Sequence, residues 1–357
     1  MKILFLIPYP IGLSPSQRFR FEQYIKILSD KGYVCTFQSF LDSHSWQIFF
    51  RTGNLPQKAL CLVTGFARRV KVLFGVSTFD FVFIHREATP IGPPIIEWII
   101  AKVLNKRIIY DFDDAIWMTD RPDESIFLSA LKWRTKVRSI CGWSYKISCG
   151  NTYLCNYSRQ FNSKVIINPT TIDVHVHNPV LNVKRKFDEL VIGWTGSHST
   201  LKYLVEIEPI LKELENRNKN LKILVIADKR PQFLSLNSVQ FIPWSKETEI
   251  EDLLKMDIGI MPLPADEWSK GKCGFKALQY MALGIPPVAS RVGTNSEIIE
   301  DNINGFLCST KEEWLDSLQG LIDDESLCFA FGESARKKVI EHYSVSSNSS
   351  NFLSLFT

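Results

Sequence analysis

The feature that most constrains this chain is an alternation, met twice over, of short apolar runs with amphipathic stretches of helical period. KILFLI at 2–7 is almost wholly apolar, as a strand covered on both faces must be. It has one charge, and Pro8 and Pro10 interrupt it early, so it reads as a buried strand rather than a signal peptide. Residues 18–31 follow with Phe21, Tyr24, Ile25 and Leu28 on one stripe and Gly32 just past the end, a predicted helix. Strands are predicted at 33–40, 80–85, 107–111, 146–149 and 164–167, with a helix over 94–104. The rhythm restarts with strands at 190–194, 221–227, 239–241 and 258–262 and helices at 200–216 and 247–256. Strand, helix, strand in this order makes a parallel sheet covered on both faces. The expected fold is therefore α/β, with two doubly wound, Rossmann-like parallel-sheet domains over 1–175 and 189–340. A polar, basic linker at 176–188 joins them, and a tail at 341–357 follows. The tail carries the low-complexity stretch SVSSNSSN before a last apolar turn, and either docks as a final helix or frays.

Charge is uneven along the 357 residues. Residues 1–175 hold 22 Lys/Arg against 13 Asp/Glu, and 176–357 hold 20 against 25. A surplus of positive charge in the first half suits an anionic partner, and equally suits an uneven solvated surface. The segment 57–76, QKALCLVTGFARRVKVLFGV, mixes apolar residues with Arg68, Arg69 and Lys71. It fits an interfacial helix at a membrane, or a helix that covers the sheet. No run is long and apolar enough to span a bilayer. Eight cysteines are scattered without C-x-x-C spacing or a histidine cluster, which excludes a zinc-finger or disulfide framework and fits reduced thiols in the cytoplasm.

Open parallel sheets bind ligands beyond the carboxyl ends of their strands, and two facing domains make a cleft between those ends. After the first strand comes PYPIGLSPSQRFRF, without a G-x-G-x-x-G. Ser14, Ser16, Arg18 and Arg20 there suit an anionic group or a solvated basic turn. Arg86 and Glu87 follow the strand DFVFIH, and Asp111, Asp113 and Asp114 end the strand RIIYD. Three acids in four residues serve as a general base, as a metal site, or as caps of the next helix. In the second half, GWTGSHST offers Gly196, Ser197, Ser199 and Thr200 as a cradle for phosphate oxygens, with His198 inside it. A turn at 271–274 then leads into a helix predicted over 275–283. Lys272, Cys273, Gly274, Phe275 and Lys276 lie at its start, Gln279 one turn in, and Gly284 with Pro286 and Pro287 at its stop. Two ammonium groups at a helix N-terminus make an anion site.

The stretch 257–306, DIGIMPLP…GFKALQYMALGIPPVASRVGTNSEIIEDNINGF, resembles glycosyltransferase family 4, whose members have the GT-B fold and act with retention. It is similar to that family's donor loop, E-A/Y-M-A-x-G-x-P-V-V-A-S, V-G-x-x-E and N-G. INPTTID at 167–173 is similar to its I-P-N-G-V-D junction, and YDFDDAIW, GNTYL and GWTGSHST look like the branch that serves bacterial surface polysaccharides. The resemblance implies a nucleoside diphosphate sugar as co-substrate, held mainly by the second domain through Gly196, Ser197, Thr200, Lys202, Cys273, Gly274, Phe275 and Gln279. It implies Lys276 and Lys272 on the leaving diphosphate and Asp113 beside the donor sugar or acceptor. A lipid-linked or oligosaccharide acceptor would lie on the first domain near Arg18, Arg20, Arg86 and Glu87. No metal, no other cofactor and no nucleic acid are implied, and the setting is cytoplasmic, on or near the inner face of the membrane. Two departures stand out. The family's paired glutamates fall on Gly271 and Gln279, which leaves Asp266 or Glu267 to reach the sugar, and its arginine after the second domain's first strand falls on Ser197. Because of the missing glutamates a silent nucleotide-sugar binder competes with the transferase, and so, on other grounds, do a sugar-nucleotide isomerase of similar fold and a metal enzyme built on Asp111-Phe112-Asp113.

Overall fold

A computed structural model describes residues 1–51, 53–119, 124–179, 189–233 and 235–357. They form two compact units, Met1–Thr170 with Asn348–Thr357, and Thr171–Ser347.

The first unit is built on six parallel strands, β1 (Lys2–Ile7), β2 (Val34–Ser39), β3 (Phe81–His85), β4 (Arg107–Phe112), β5 (Lys146–Cys149) and β6 (Val165–Ile167). They lie in the order β2-β1-β3-β4-β5-β6, with Ile3 opposite Phe81 and His85 opposite Asp111. β1 and β3 are buried along nearly their whole length, which is why they read as unbroken apolar runs. The helix expected over 18–31 is instead three pieces, Pro15–Arg18, a 3-10 turn at Glu22–Tyr24, and Ile25–Asp30. The interruption turns Arg20 and Phe21 into the core, where a straight surface helix could not place both.

The Leu55–Leu73 helix packs its basic side inward. Arg69 is fully buried and donates to the carbonyls of Ile7, Gln38 and Ala88, each at 2.7 Å, and Arg68 donates to Phe40 O and pairs with Asp42. Those two charges therefore belong to the fold and are not the surface charges expected of segment 57–76.

The serine-rich end is ordered as the Val345–Leu353 helix, with Ser344 Oγ accepting from the Ser347 amide at 3.0 Å. Phe352 stacks on Tyr24 with centroids 4.2 Å apart, and Phe356 meets Phe81 edge-on. Three buried apolar side chains, Phe352, Leu355 and Phe356, give the last ten residues a place in the first unit's core. At the junction, Ile172 bridges Ser344 within the second unit, and the linker expected at 176–188 lies outside the described residues from 180 on.

The second unit has strands β7 (Leu190–Gly196), β8 (Leu221–Ala227), β9 (Val239–Pro243), β10 (Ile258–Met261), β11 (Pro287–Ser290) and β12 (Phe306–Cys308). All are parallel, in the order β12-β11-β10-β7-β8-β9. Counted within the unit, this is the doubly wound order 3-2-1-4-5-6. The helix expected over 200–216 is two, Leu201–Glu206 and Glu208–Arg217, because Pro209 cannot donate the bond that would continue the first. Each sheet reverses direction once, between β1 and β3 and between β7 and β10, and these switch points are where such sheets open a crevice for ligand. All eight cysteines are free thiols and seven are buried.

Candidate functional site

The first unit's switch point is filled by its own charges. Asp111, buried at the end of β4, takes Arg20 on one carboxylate oxygen and His85 Nδ1 on the other, the latter at 2.8 Å, while Ser148 Oγ donates to it at 2.6 Å. Burial alone would raise the Asp111 carboxyl, but the Arg20 charge and His85 outweigh it and hold it well below the usual range. Arg20 also donates to the Asn168 carbonyl and to Ser148 Oγ, so its guanidinium is committed within the fold and is not the acceptor contact expected of it. Arg86 Nε donates to Asp113 at 2.8 Å. Burial works against both charges of that pair, yet each is stabilised by the other, with Asp113 lowered and Arg86 raised. Arg86 stands at φ +61°, unusual for a residue with a Cβ, and this turn directs it along the strand ends. Glu87 pairs with Lys136 at 2.7 Å, and the Arg18 guanidinium lies over the Phe19 ring. The loop after β1 is tied down by Gln17, which accepts from the Tyr9 amide and donates to the Tyr9 carbonyl. Asp114 accepts from the Ala115 amide in a turn and caps no helix, the next described one beginning at Ile126.

The second unit's switch point is arranged differently. The Phe275–Ala282 helix sits across it, fastened by Tyr280. The buried phenol accepts from the Thr195 amide of β7 at 3.0 Å and donates to the Ile260 carbonyl of β10 at 3.3 Å. Gly259 permits this, since a Cβ there would strike the Tyr280 ring. Gly274 precedes the helix in the left-handed region, φ +66°, and a side chain there would collide with Ile298. The helix N-terminus is thus anchored at the sheet's carboxyl edge. Lys276 Nζ lies 5.7 Å from the centre of the Trp194 ring, and Lys272 Nζ 4.5 Å from that of Trp268. Trp194 in turn needs Gly196, because a Cβ at 196 would come within 2.5 Å of its indole. Lys276, distant in sequence, thus joins Trp194 and Gly196 in one group.

Around that helix several buried polar atoms have no hydrogen-bond partner, namely Gln279 Nε2, Ser269 Oγ and Thr294 Oγ1. Thr294 lies beside Gly274, within 3.6 Å of where its Cβ would be. Unpaired polar atoms are costly in a protein interior, so three near one helix make it a candidate for ligand contact.

Residues 190–338 match the family described as "Glycosyl transferases group 1". Most of the second unit is thus similar to that family. Over 134 residues the chain is 28% identical to N-acetyl-alpha-D-glucosaminyl L-malate synthase of Bacillus anthracis, covering 34% of this chain and 33% of that protein's length. Over the whole chain the fold is that of solved GT-B structures. The sucrose-phosphate synthase of Thermosynechococcus elongatus superposes with TM-score 0.70 at 12% identity, over 100% of this chain and 98% of that one. The HepE protein of Anabaena, crystallised with UDP and glucose, gives 0.67 at 12% identity over 99% and 98%. The two-domain, Rossmann-like GT-B class is therefore established, as the strand alternation implied.

The second unit corrects several residue-level expectations. The GSHST loop is a weaker cradle than its sequence promises. The His198 amide and ring are both taken by Asp228, and the Thr200 amide bonds back to Ser197 O. Thr200 Oγ1 also turns to Ser197 O and caps nothing, while Lys202 lies over Tyr203. Asp266 accepts from the Ser269 amide as an N-cap, and Glu267 pairs with Lys270, so local bonds occupy the two acids expected to replace the missing glutamate. Cys273 is buried, and Phe275 opens the helix half-exposed. Trp194, Tyr280 and Thr294 carry no local sequence signal of a role, because what makes each matter is a contact with a distant residue.

Among the described residues no group of three His, Cys, Asp or Glu side chains is placed to hold a metal. Asp111 and Asp113 each face a guanidinium instead.

Proposed function

We propose that the protein transfers a glycosyl group, with retention, from a nucleoside diphosphate sugar to a glycan or lipid-linked acceptor in the assembly of a bacterial surface polysaccharide. The observation that carries this reading is the front end of the Phe275–Ala282 helix, where Lys272 and Lys276 stand at the N-terminus and buried Gln279 Nε2, one turn in, has no partner, all within the stretch that matches the group 1 family. The HepE structures, which hold UDP, glucose and UDP-glucose, support the choice of donor.

On this reading the diphosphate lies across the helix N-terminus. As the bond from the anomeric carbon to the diphosphate oxygen breaks, negative charge grows on that oxygen. Lys276, Lys272 and the first helical amides stabilise it, and because they are already in place they need not reorganise. The acceptor hydroxyl attacks from the face the diphosphate leaves and gives its proton to the departing diphosphate oxygen, so the new bond replaces the old with configuration kept. Gln279 contacts the ribose, offering a donor as well as an acceptor where the family's glutamate only accepts. No metal is required on this reading, and chelation should leave turnover unchanged. Asp113, held by Arg86, remains the acid proposed to face the sugar or acceptor. The acceptor would lie along the first unit's strand ends, with Arg18, Arg86 and Glu87 as its contacts. The protein would work on the cytoplasmic side, at the membrane surface.

The test is a thermal-shift series with UDP, other nucleoside diphosphates and their sugars. A ligand at about 100 times its dissociation constant stabilises by about 2.7 kcal/mol, a shift of a few degrees. If no nucleoside diphosphate or nucleotide sugar moves the melt, the reading fails.

A further inference from the structure

The Leu55–Leu73 helix is inside out. Its inward side carries Gly65, against which the Phe40 ring packs, and the buried Arg69. Its outward stripe is apolar. Leu60 is 63% exposed, Val63 63%, Val70 50%, and Phe74 just past the helix end 86%. These residues, with Ala67, recur at intervals of three and four and so share one face. The neighbouring Ile95–Trp98 helix adds exposed Ile95 and Trp98. An outer face of this kind is what a soluble surface helix avoids, and contiguous apolar surface marks a place of contact.

Charge identifies the partner. From 43 to 79 the sequence holds five Lys/Arg and no Asp or Glu. Two of the five, Arg68 and Arg69, are consumed internally, while Lys71 stands exposed beside the apolar stripe. Next to the second helix Lys102 is exposed, and Glu97, its one acid, is buried. Among the described residues the two helices thus present apolar side chains and lysines and no exposed acid of their own, and Asp42, which touches the first helix, is paired with Arg68. Trp98 supplies the aromatic ring favoured at a lipid–water boundary.

We infer that this face docks on an anionic lipid bilayer, with Leu60, Val63, Val70 and Phe74 entering the headgroup region and Lys71 and Lys102 pairing with lipid phosphates. No helix of the described residues is long and apolar enough to cross a membrane, so contact would be peripheral. The inference differs from one based on the segment's overall basic character, because it assigns the contact to the apolar stripe. It does not rest on the transferase reading, since vesicle partitioning needs no donor.

The experiment is flotation of the full chain with phosphatidylcholine vesicles, with and without phosphatidylglycerol. The protein should float with the anionic vesicles, less so as salt rises. Val63→Asp with Phe74→Asp should weaken partitioning by at least about tenfold. Both positions are exposed, so the melting temperature should hold. If the double variant does not fold, Lys71→Glu with Lys102→Glu tests the same face and should lower binding to anionic vesicles alone. The inference is overturned if wild type does not float, or if these variants float as wild type does. It is equally overturned if light scattering shows a wild-type dimer that the double variant abolishes while vesicles are ignored, for then the face joins two copies of the chain.

Discussion

The carboxyl edges of the two sheets solve the same problem in opposite ways. In the first unit the charged groups at the switch point pair with one another, Arg20 and His85 on Asp111, Arg86 on Asp113 and Lys136 on Glu87, while the buried Asn168 Oδ1 beside them has no partner. In the second unit the cations lie over aromatic rings, and buried Gln279, Ser269 and Thr294 atoms have no partner. The difference is one of preorganisation. A self-paired edge is a rigid floor that contributes shape, whereas an edge with unmet hydrogen bonds is ready for an anion and a polar ligand. This is why the donor is proposed for the second unit, although the first has more basic sequence.

Three substitutions sharpen or break that contrast. Asp111→Asn should have the largest effect. It leaves the Arg20 charge buried without its counter-charge, costing about 3–5 kcal/mol, measurable by denaturant unfolding. The pH dependence follows from the same group. Asp111 is lowered in the folded state, so the unfolded chain binds more protons below its own value of about 3.9. The stabilisation is complete above that pH and is lost as pH falls toward the folded value. Wild type should therefore lose stability on acidification below about pH 4, and the variant should show a flatter acid limb. A variant as stable as wild type would mean that the first unit's pairing is decorative.

Lys276→Ala comes next. It should lower turnover on the order of 100-fold, about 2.7 kcal/mol, with little change in the melt. Near-normal turnover would remove Lys276 from the leaving-group role. Gln279→Met has the smallest effect and the most telling sign. Replacing an unpartnered buried amide with an apolar side chain of similar shape should raise the stability of the unliganded protein by about 1 kcal/mol, while weakening UDP binding by roughly tenfold. If both stability and affinity fall, Gln279 has a partner within the protein and the second edge is less open than described.

Much of the fold was legible in the residues themselves. Unbroken apolar runs announced buried parallel strands, as at β1, β3 and β8, and Gly284 with Pro286 announced the end of the Phe275–Ala282 helix. The 200–216 helix was misjudged only because Pro209 sits inside a good amphipathic period. The candidate site was legible in part. Lysines at a helix N-terminus can be seen in KCGFKALQ, but nothing in GWTG says that Trp194 lies beside Lys276. Arg18 and Arg20 look alike in SQRFRF, yet one lies over a phenylalanine ring and the other is sealed against Asp111.

By itself the sequence determined the fold class, the two sheets and the placing of small residues and cations at strand ends, because strand burial, helix period and turn chemistry are local. Only the tertiary structure decided which charges are spent on the fold, which side the Leu55–Leu73 helix turns outward, and that the last ten residues complete the first unit's core. Those outcomes depend on partners tens to hundreds of residues away. A buried polar group must find its hydrogen bond wherever the chain brings one, and no local pattern records where that will be.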